Sequence, residues 1–399
     1  MGNTDFFLNT EFEKQKRLMS LTGVRHEDCT ECWKVEDSGA ISMRLRDGNN
    51  VQEILGERLL HEFGTTDLQE ISKSVDINSK ILESTYIDRA EIVLSNLCDL
   101  QCVYCNENSS TQWALRKLNE KSIELSRYKT VNLNIQDNVF VSGAWQWINT
   151  SKNNIRSISI LGGEPTIMPE FYVYMDKLMD IYKDFTPHTV QLSIVTNLNT
   201  PEKQFVKFLE YIEKLSTIFR VYVSISMESI GTQAEFIRTK LKWDNFEKNV
   251  HLLMSSNVHP EMITIHPVIN LLAIPRFVEF LKWHKALIDK YNKFIGLPIS
   301  MVATPKYLFA FNLPASFSVY IDYAINFMEN NQYRNKIFKQ DYINFLKSIK
   351  AGILSAPPAD PYILKKFYTE MEKTSKILNV NFADVFPELG EFYIHCKNL

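Results

Sequence analysis

Six short runs rich in Val, Ile and Leu, at residues 90–95, 157–161, 191–196, 221–226, 262–269 and 298–303, alternate with segments of helical periodicity. Runs of this length and composition read as strands buried in a parallel sheet. Between them, residues 170–182 place Phe171, Tyr174, Met175, Leu178, Met179 and Tyr182 along one helical stripe. Residues 201–215 follow Thr200, a residue suited to capping, with Pro201 at the first helical position. Segments 243–254 and 275–291 repeat the pattern. Strand–helix–strand units demand parallel pairing, and their right-handed crossovers curl the sheet into an open or closed barrel. The expected fold class is α/β.

The residues that carry chemistry follow these strands. After the first comes Cys98-x3-Cys102-x2-Cys105, which holds half of the six cysteines in the chain. Three thiolates suit three irons of a [4Fe-4S] cluster and leave the fourth iron open. The other metal reading is structural zinc, which takes four ligands; His61 and His188, the nearest histidines, are far away in sequence. Gly162-Gly163-Glu164-Pro165 follows the second strand, Thr196-Asn197 ends the third, and Ser226 and Glu228 end the fourth. Active sites of parallel α/β folds gather at these carboxyl ends.

Composition narrows the function classes. A net charge of −3 and pI near 6.3 give no general nucleic-acid surface, so nucleic acid is not the expected partner. No apolar run reaches the ~18 residues of a membrane span, and residues 1–7 lack a signal-peptide pattern, so no membrane partner is expected. Few, clustered cysteines imply a reducing, cytoplasmic compartment. The 399 residues divide by pattern into an accessory region at 1–85, a barrel at 86–305 and a mostly helical substrate or lid region at 306–399. Residues 126–154, with Trp145 and Trp147, interrupt the alternation as an insertion.

With these motifs in order, residues 86–303 resemble the radical S-adenosylmethionine superfamily: the cysteine spacing is its cluster signature, Tyr104 fills its aromatic position, and Gly162–Pro165 matches its GGEP motif. A finer likeness to twitch-domain and SPASM-related enzymes lies in Cys29-Thr30-Glu31-Cys32-Trp33, in Glu36, Gly39, Ser42 and Arg44, and in residues 233–238. The resemblance implies a partial (β/α)6 TIM-like barrel with N-terminal and C-terminal helical extensions. It also implies a [4Fe-4S] cluster on Cys98, Cys102 and Cys105 whose open iron takes the amino and carboxylate groups of S-adenosylmethionine. Reductive cleavage then gives methionine and a 5′-deoxyadenosyl radical, which removes hydrogen from a substrate. The implied electron donor is a flavodoxin or ferredoxin.

By the same resemblance, Gly162 and Gly163 approach the methionine moiety, Glu164 accepts from its amino group and Pro165 stiffens the turn. Ser226 and Glu228 meet ribose and methionine, with Glu228 standing where the more usual Ser-x-Asp-Gly has Asp. Arg238 takes the carboxylate. Thr196, Asn197 and Asn270 join at strand ends, with Val268 and Leu271 against the adenine, and Tyr104 packs on the adenine or covers the cluster. His266 reads as a core residue. Cys29 and Cys32 bind an auxiliary iron–sulfur cluster with a non-cysteine ligand, or zinc completed by His26 or His395, or no metal; Cys396 is the remaining thiol. Further cysteines found ahead of this segment in many members would precede residue 1 of this chain. The expected substrate is a peptide, the class that twitch and SPASM relatives often modify; a nucleoside or carbohydrate-like metabolite is the alternative. The reading from another class, a catalytically inactive Fe-S or zinc interaction protein, predicts damaged cofactor motifs, and these are intact.

Overall fold

The computed structural model describes residues 9–21, 24–37, 64–65, 67, 70–71, 73–75, 88–122, 139–256, 263–333 and 336–399. Gly39, Ser42, Arg44, Met262 and residues 126–138 lie outside them. The chain divides into two compact units, residues 1–87 with 139–154, and residues 88–138 with 155–399.

In the first unit the described helices are α1 (Glu11–Leu21), α2 (Thr30–Asp37) and α4 (Val139–Ser151). The turn before α2 is held by side chains. Arg25 forks onto Asp37 with contacts of 2.9 and 2.5 Å, and Lys16 reaches Asp28 at 2.8 Å. Trp33 Nε1 donates to the His26 carbonyl at 3.2 Å.

The second unit opens with β1 (Arg89–Val93) and α3 (Thr111–Asn119), then alternates: β2 (Ser157–Leu161), α5 (Pro169–Tyr182), β3 (Gln191–Thr196), α6 (Glu202–Leu215), β4 (Arg220–Ser226), α7 (Gly231–Ile237), α8 (Trp243–Ser255), β5 (Ile263–His266), β6 (Val268–Ile269), α9 (Phe277–Tyr291) and β7 (Ser300–Met301). Strands β1 to β5 form one parallel sheet in sequence order, and β6 pairs in parallel with β7. A bridge between Thr264 and Gly296 carries the ladder from β5 to the segment that leads into β7. The result is a mixed α/β fold with six strand positions, consistent with a partial TIM-like barrel. The expected fifth strand is split because Pro267 has no N–H to give the ladder. Expected residues 298–303 shrink to Ser300–Met301 for a similar reason: Pro298 cannot donate.

The strands do not read as uniformly apolar. Ile158, Ile160, Leu192, Ile194, Val221, Val223, Ile225, Ile263 and Ile265 are fully buried on one face. The opposite face is half-buried and largely polar, with Ser159 beside Ser193 beside Tyr222 in register, and Ser226 beside His266. Each side chain on the buried face contributes roughly 1.5–3 kcal/mol by leaving water. A sheet curled into a barrel explains the alternation, since only its outer face meets the helix layer.

After β7, the chain is helical as expected: α10 (Ser318–Asn330), α11 (Lys336–Ser355), α12 (Pro361–Leu378), α13 (Phe382–Val385) and α14 (Gly390–Asn398). Phe236 of α7 packs edge-on against Phe382 and Phe386 at 5.7 and 5.1 Å between centroids. Thr200 does not cap α6. Pro201 takes the cap position, and the Thr200 hydroxyl instead meets that of Thr166. None of the helices among the described residues is long and apolar enough to cross a membrane.

Candidate cofactor site

The cysteines sit on the loop between β1 and α3, and that loop is fastened on every side. Gln101 N donates to the Thr239 carbonyl at 2.9 Å and Val103 N to the Ile237 carbonyl at 2.8 Å, anchoring it to the end of α7. Ser110 caps α3 and also donates to the Leu100 carbonyl at 2.6 Å. Thr111 Oγ1 donates to the Cys98 carbonyl at 3.0 Å, and Trp113 Nε1 to the Cys102 carbonyl at 2.7 Å. Burial pushes all three thiols above their ordinary value, Cys102 to about 12, so ligation has to displace their protons.

The turn after β2 locks onto this loop. Glu164 N donates to the Leu97 carbonyl at 2.8 Å. Gly162 and Gly163 have φ of +87° and +47°, in the left-handed region. A Cβ on Gly162 would come within 2.5 Å of Val93 Cγ1 at the end of β1 and within 2.7 Å of the Ser95 carbonyl in the loop, and one on Gly163 would strike the Leu97 carbonyl. Both glycines are thus demanded by contact with the cysteine loop itself. Pro165 starts the one-turn helix that follows.

Glu164 is fully buried and gathers four donors. Its Oε1 accepts from Thr166 N at 3.1 Å and from the hydroxyls of Thr166 and Thr196, each at 2.6 Å; Oε2 accepts from Asn197 N at 2.6 Å. Burial outweighs these bonds and pushes its carboxyl up to about 7. The carboxylate therefore ties the β2 turn to the β3 turn. Asn197 extends the chain of contacts: its Nδ2 donates to Asp99 Oδ1 at 3.0 Å and lies 4.0 Å from Cys98 Sγ, while Asn199 donates to Asp99 Oδ2 at 2.8 Å.

On the other side, Tyr104, Glu228 and Arg238 converge. Glu228 Oε2 accepts from Arg238 at 2.6 Å and from the Tyr104 hydroxyl at 3.1 Å. Arg238 lies 3.9 Å from Cys102 Sγ. Burial works against its charge, but Glu228 beside it holds the guanidinium above its ordinary value. Burial also raises the Tyr104 phenol. Glu228 Oε1 and Arg238 Nε are buried with no hydrogen-bond partner.

Ser226 ends β4 half-buried, in register with His266. His266 is also half-buried and faces Ser300 Oγ at 3.0 Å; burial first and Arg238 second lower its pKa. Asn270 uses its amide locally, donating to the Val268 carbonyl and accepting from Leu272 N, each at 3.1 Å. Cys29 and Cys32 are half-buried free thiols at the start of α2, and Cys396 is buried in α14. Asp99, Asn199, Thr166 and Thr111 were not signalled by sequence; Asp99, inside the cysteine motif, offered the only local hint.

The residues fit a three-thiolate cluster with an amino-acid-bearing cofactor beside it. Each cysteine of such a cluster meets a different iron, so the thiols need not converge on one point. Among the described residues no three His, Cys, Asp or Glu side chains are grouped to hold a single ion. The unpartnered Glu228 Oε1 and Arg238 Nε leave an acceptor and a donor beside the thiols, which suits a zwitterionic ligand.

A family model described as the Radical SAM superfamily matches residues 92–282. Residues 92–282 are therefore similar to a radical SAM superfamily domain. Similar solved structures include native anSMEcpe with bound AdoMet and Cp18Cys peptide, at 15% identity and a TM-score of 0.39, covering 65% of this chain and 62% of that one. SuiB of Streptococcus suis matches at 12% identity and a TM-score of 0.41, over 90% of this chain and 67% of SuiB. The chain thus spans 62% of the length of anSMEcpe. No curated protein matches the chain.

Proposed function

We propose that this chain is a radical SAM enzyme, with Cys98, Cys102 and Cys105 holding a [4Fe-4S] cluster. Its reading rests on one observation: the superfamily domain carries its three cysteines intact, on a loop locked to the GGEP turn. When bound, the cluster and S-adenosylmethionine supply reductive cleavage of the sulfonium and removal of a hydrogen atom from the substrate.

The protein's own part is to bind, orient and enclose. Arg238 and Glu228 orient the methionine end, with Ser226 toward the ribose and Tyr104 closing the site above Cys102. Glu164, Thr196 and Asn197 act mainly as positioning residues, since their bonds are to one another and to the cysteine loop. The substrate we favour is a peptide, as the twitch- and SPASM-like motifs imply, and the electron donor a flavodoxin or ferredoxin.

The test is anaerobic. Protein reconstituted with iron and sulfide is given S-adenosylmethionine and dithionite, and 5′-deoxyadenosine is measured beside Cys102→Ala. Product from the wild type alone is expected. A loaded cluster with no product, with or without candidate peptides, would overturn the radical reading.

A further inference from the structure

A cavity of about 320 Å³ opens beside Cys105. Tyr104 and Cys105 line it from the cysteine loop, Trp113 and Lys117 from α3, Tyr307 from the segment after β7, and Lys366 with Glu370 from α12. At the small end of the range for ligand sites, this volume admits one residue or a fragment of that size. Its walls combine aromatic faces with an unusual charge group.

Glu370, nearly buried, accepts three cations: Lys366 at 2.9 Å, Lys373 at 3.2 Å and Arg116 at 3.4 Å. Arg116 also meets Glu120 at 2.9 Å, and Lys117 meets Glu107 at 2.5 Å. Four cations therefore share three carboxylates in this network, of which Lys117, Lys366 and Glu370 line the cavity. One more carboxylate neutralises the group, and charge-assisted bonds to Lys366 and Lys117, whose side chains are 45% and 30% exposed, are stronger than neutral ones. The Tyr307 ring adds a half-buried phenol whose pKa is raised by desolvation first and by Glu370 second.

We propose that this cavity binds a carboxylate of the substrate, presented by a peptide as an acidic side chain or as its C-terminus, with Lys366 as the principal contact. This substrate assignment rests on the radical SAM reading above. It would place the rest of that residue against Tyr104 and Cys105, next to the cluster loop.

The test is a binding titration on the iron- and sulfide-reconstituted protein, followed by the fluorescence of Trp113 against a Trp113→Phe background. Three probes are compared: N-acetylglutamate N-methylamide, its neutral glutamine counterpart, and N-acetylalanine. The glutamate probe is expected to bind at least about tenfold more tightly than the glutamine probe, and Lys366→Met to remove that preference while Lys366→Arg restores it. Tighter binding of N-acetylalanine than of the glutamate probe also supports the site and assigns it to a chain terminus. Equal binding of charged and neutral probes, no binding of any, or a preference unchanged in Lys366→Met overturns the proposal. Because no S-adenosylmethionine or reductant is present, failure here is separate from failure to form 5′-deoxyadenosine in a parallel sample.

Discussion

Arg238 and Glu228 form a pair whose side chains are 4% and 0% exposed. Burying two charges in this way is seldom a net gain in stability over apolar residues of the same shape, whereas removing one partner leaves a buried charge. Arg238→Met should therefore cost about 3–5 kcal/mol in urea unfolding. The double variant Arg238→Met with Glu228→Leu should recover most of that loss while forming no 5′-deoxyadenosine. A double variant as unstable as the single would show that the pair is structural, and the proposed cofactor role would lose its support. Sequence exposed Glu228 only as a one-methylene-longer replacement for an expected aspartate. Its partnership with Arg238, and the four donors around Glu164, depend on which loops the fold brings together, so no local pattern could announce them. Asn270 illustrates the converse: its place at a strand end was legible, but the two bonds its amide makes within its own turn were not.

At the level of elements, β2 and β3 were legible to the residue, because apolar runs bounded by turn residues leave little freedom of register. The polar inner face of the sheet was harder to see, since it follows from curling of the sheet and not from any single strand. The two glycines of the GGEP turn were legible as unusual, but their reason was not: they make room for the cysteine loop. Gly163→Ala should strain a left-handed backbone by about 1–2 kcal/mol and push against the Leu97 carbonyl. Iron bound per chain after reconstitution should fall, with the far-ultraviolet circular dichroism unchanged. A variant that binds iron like the wild type would mean that the loop retreats without disturbing the thiols.

Across the second unit, the C-terminal helices are mechanically linked to the cysteine loop. Gln233 Nε2 donates to the Val385 carbonyl at 3.0 Å, and Phe236 packs edge-on against the stacked pair Phe382 and Phe386, so α7 is gripped from the C-terminal side. The last residue of α7, Ile237, accepts from Val103 N in the middle of the cysteine motif. The helical character of this region was legible, but its hold on the cysteine loop was not, because the contacts join residues about 150 apart. Phe386 is fully buried, and Phe386→Ala should cost about 3–5 kcal/mol through the cavity it leaves. If α7 transmits that loosening, the reconstituted variant should also lose iron to a chelator several-fold faster than wild type. Ile194→Ala serves as the comparison, since it opens a cavity of similar cost, about 2–5 kcal/mol, behind β3 and away from α7. Equal rates of iron loss in the two variants would reduce the effect to general destabilisation; faster loss in Phe386→Ala alone would make the C-terminal helices part of the clamp on the cysteine loop.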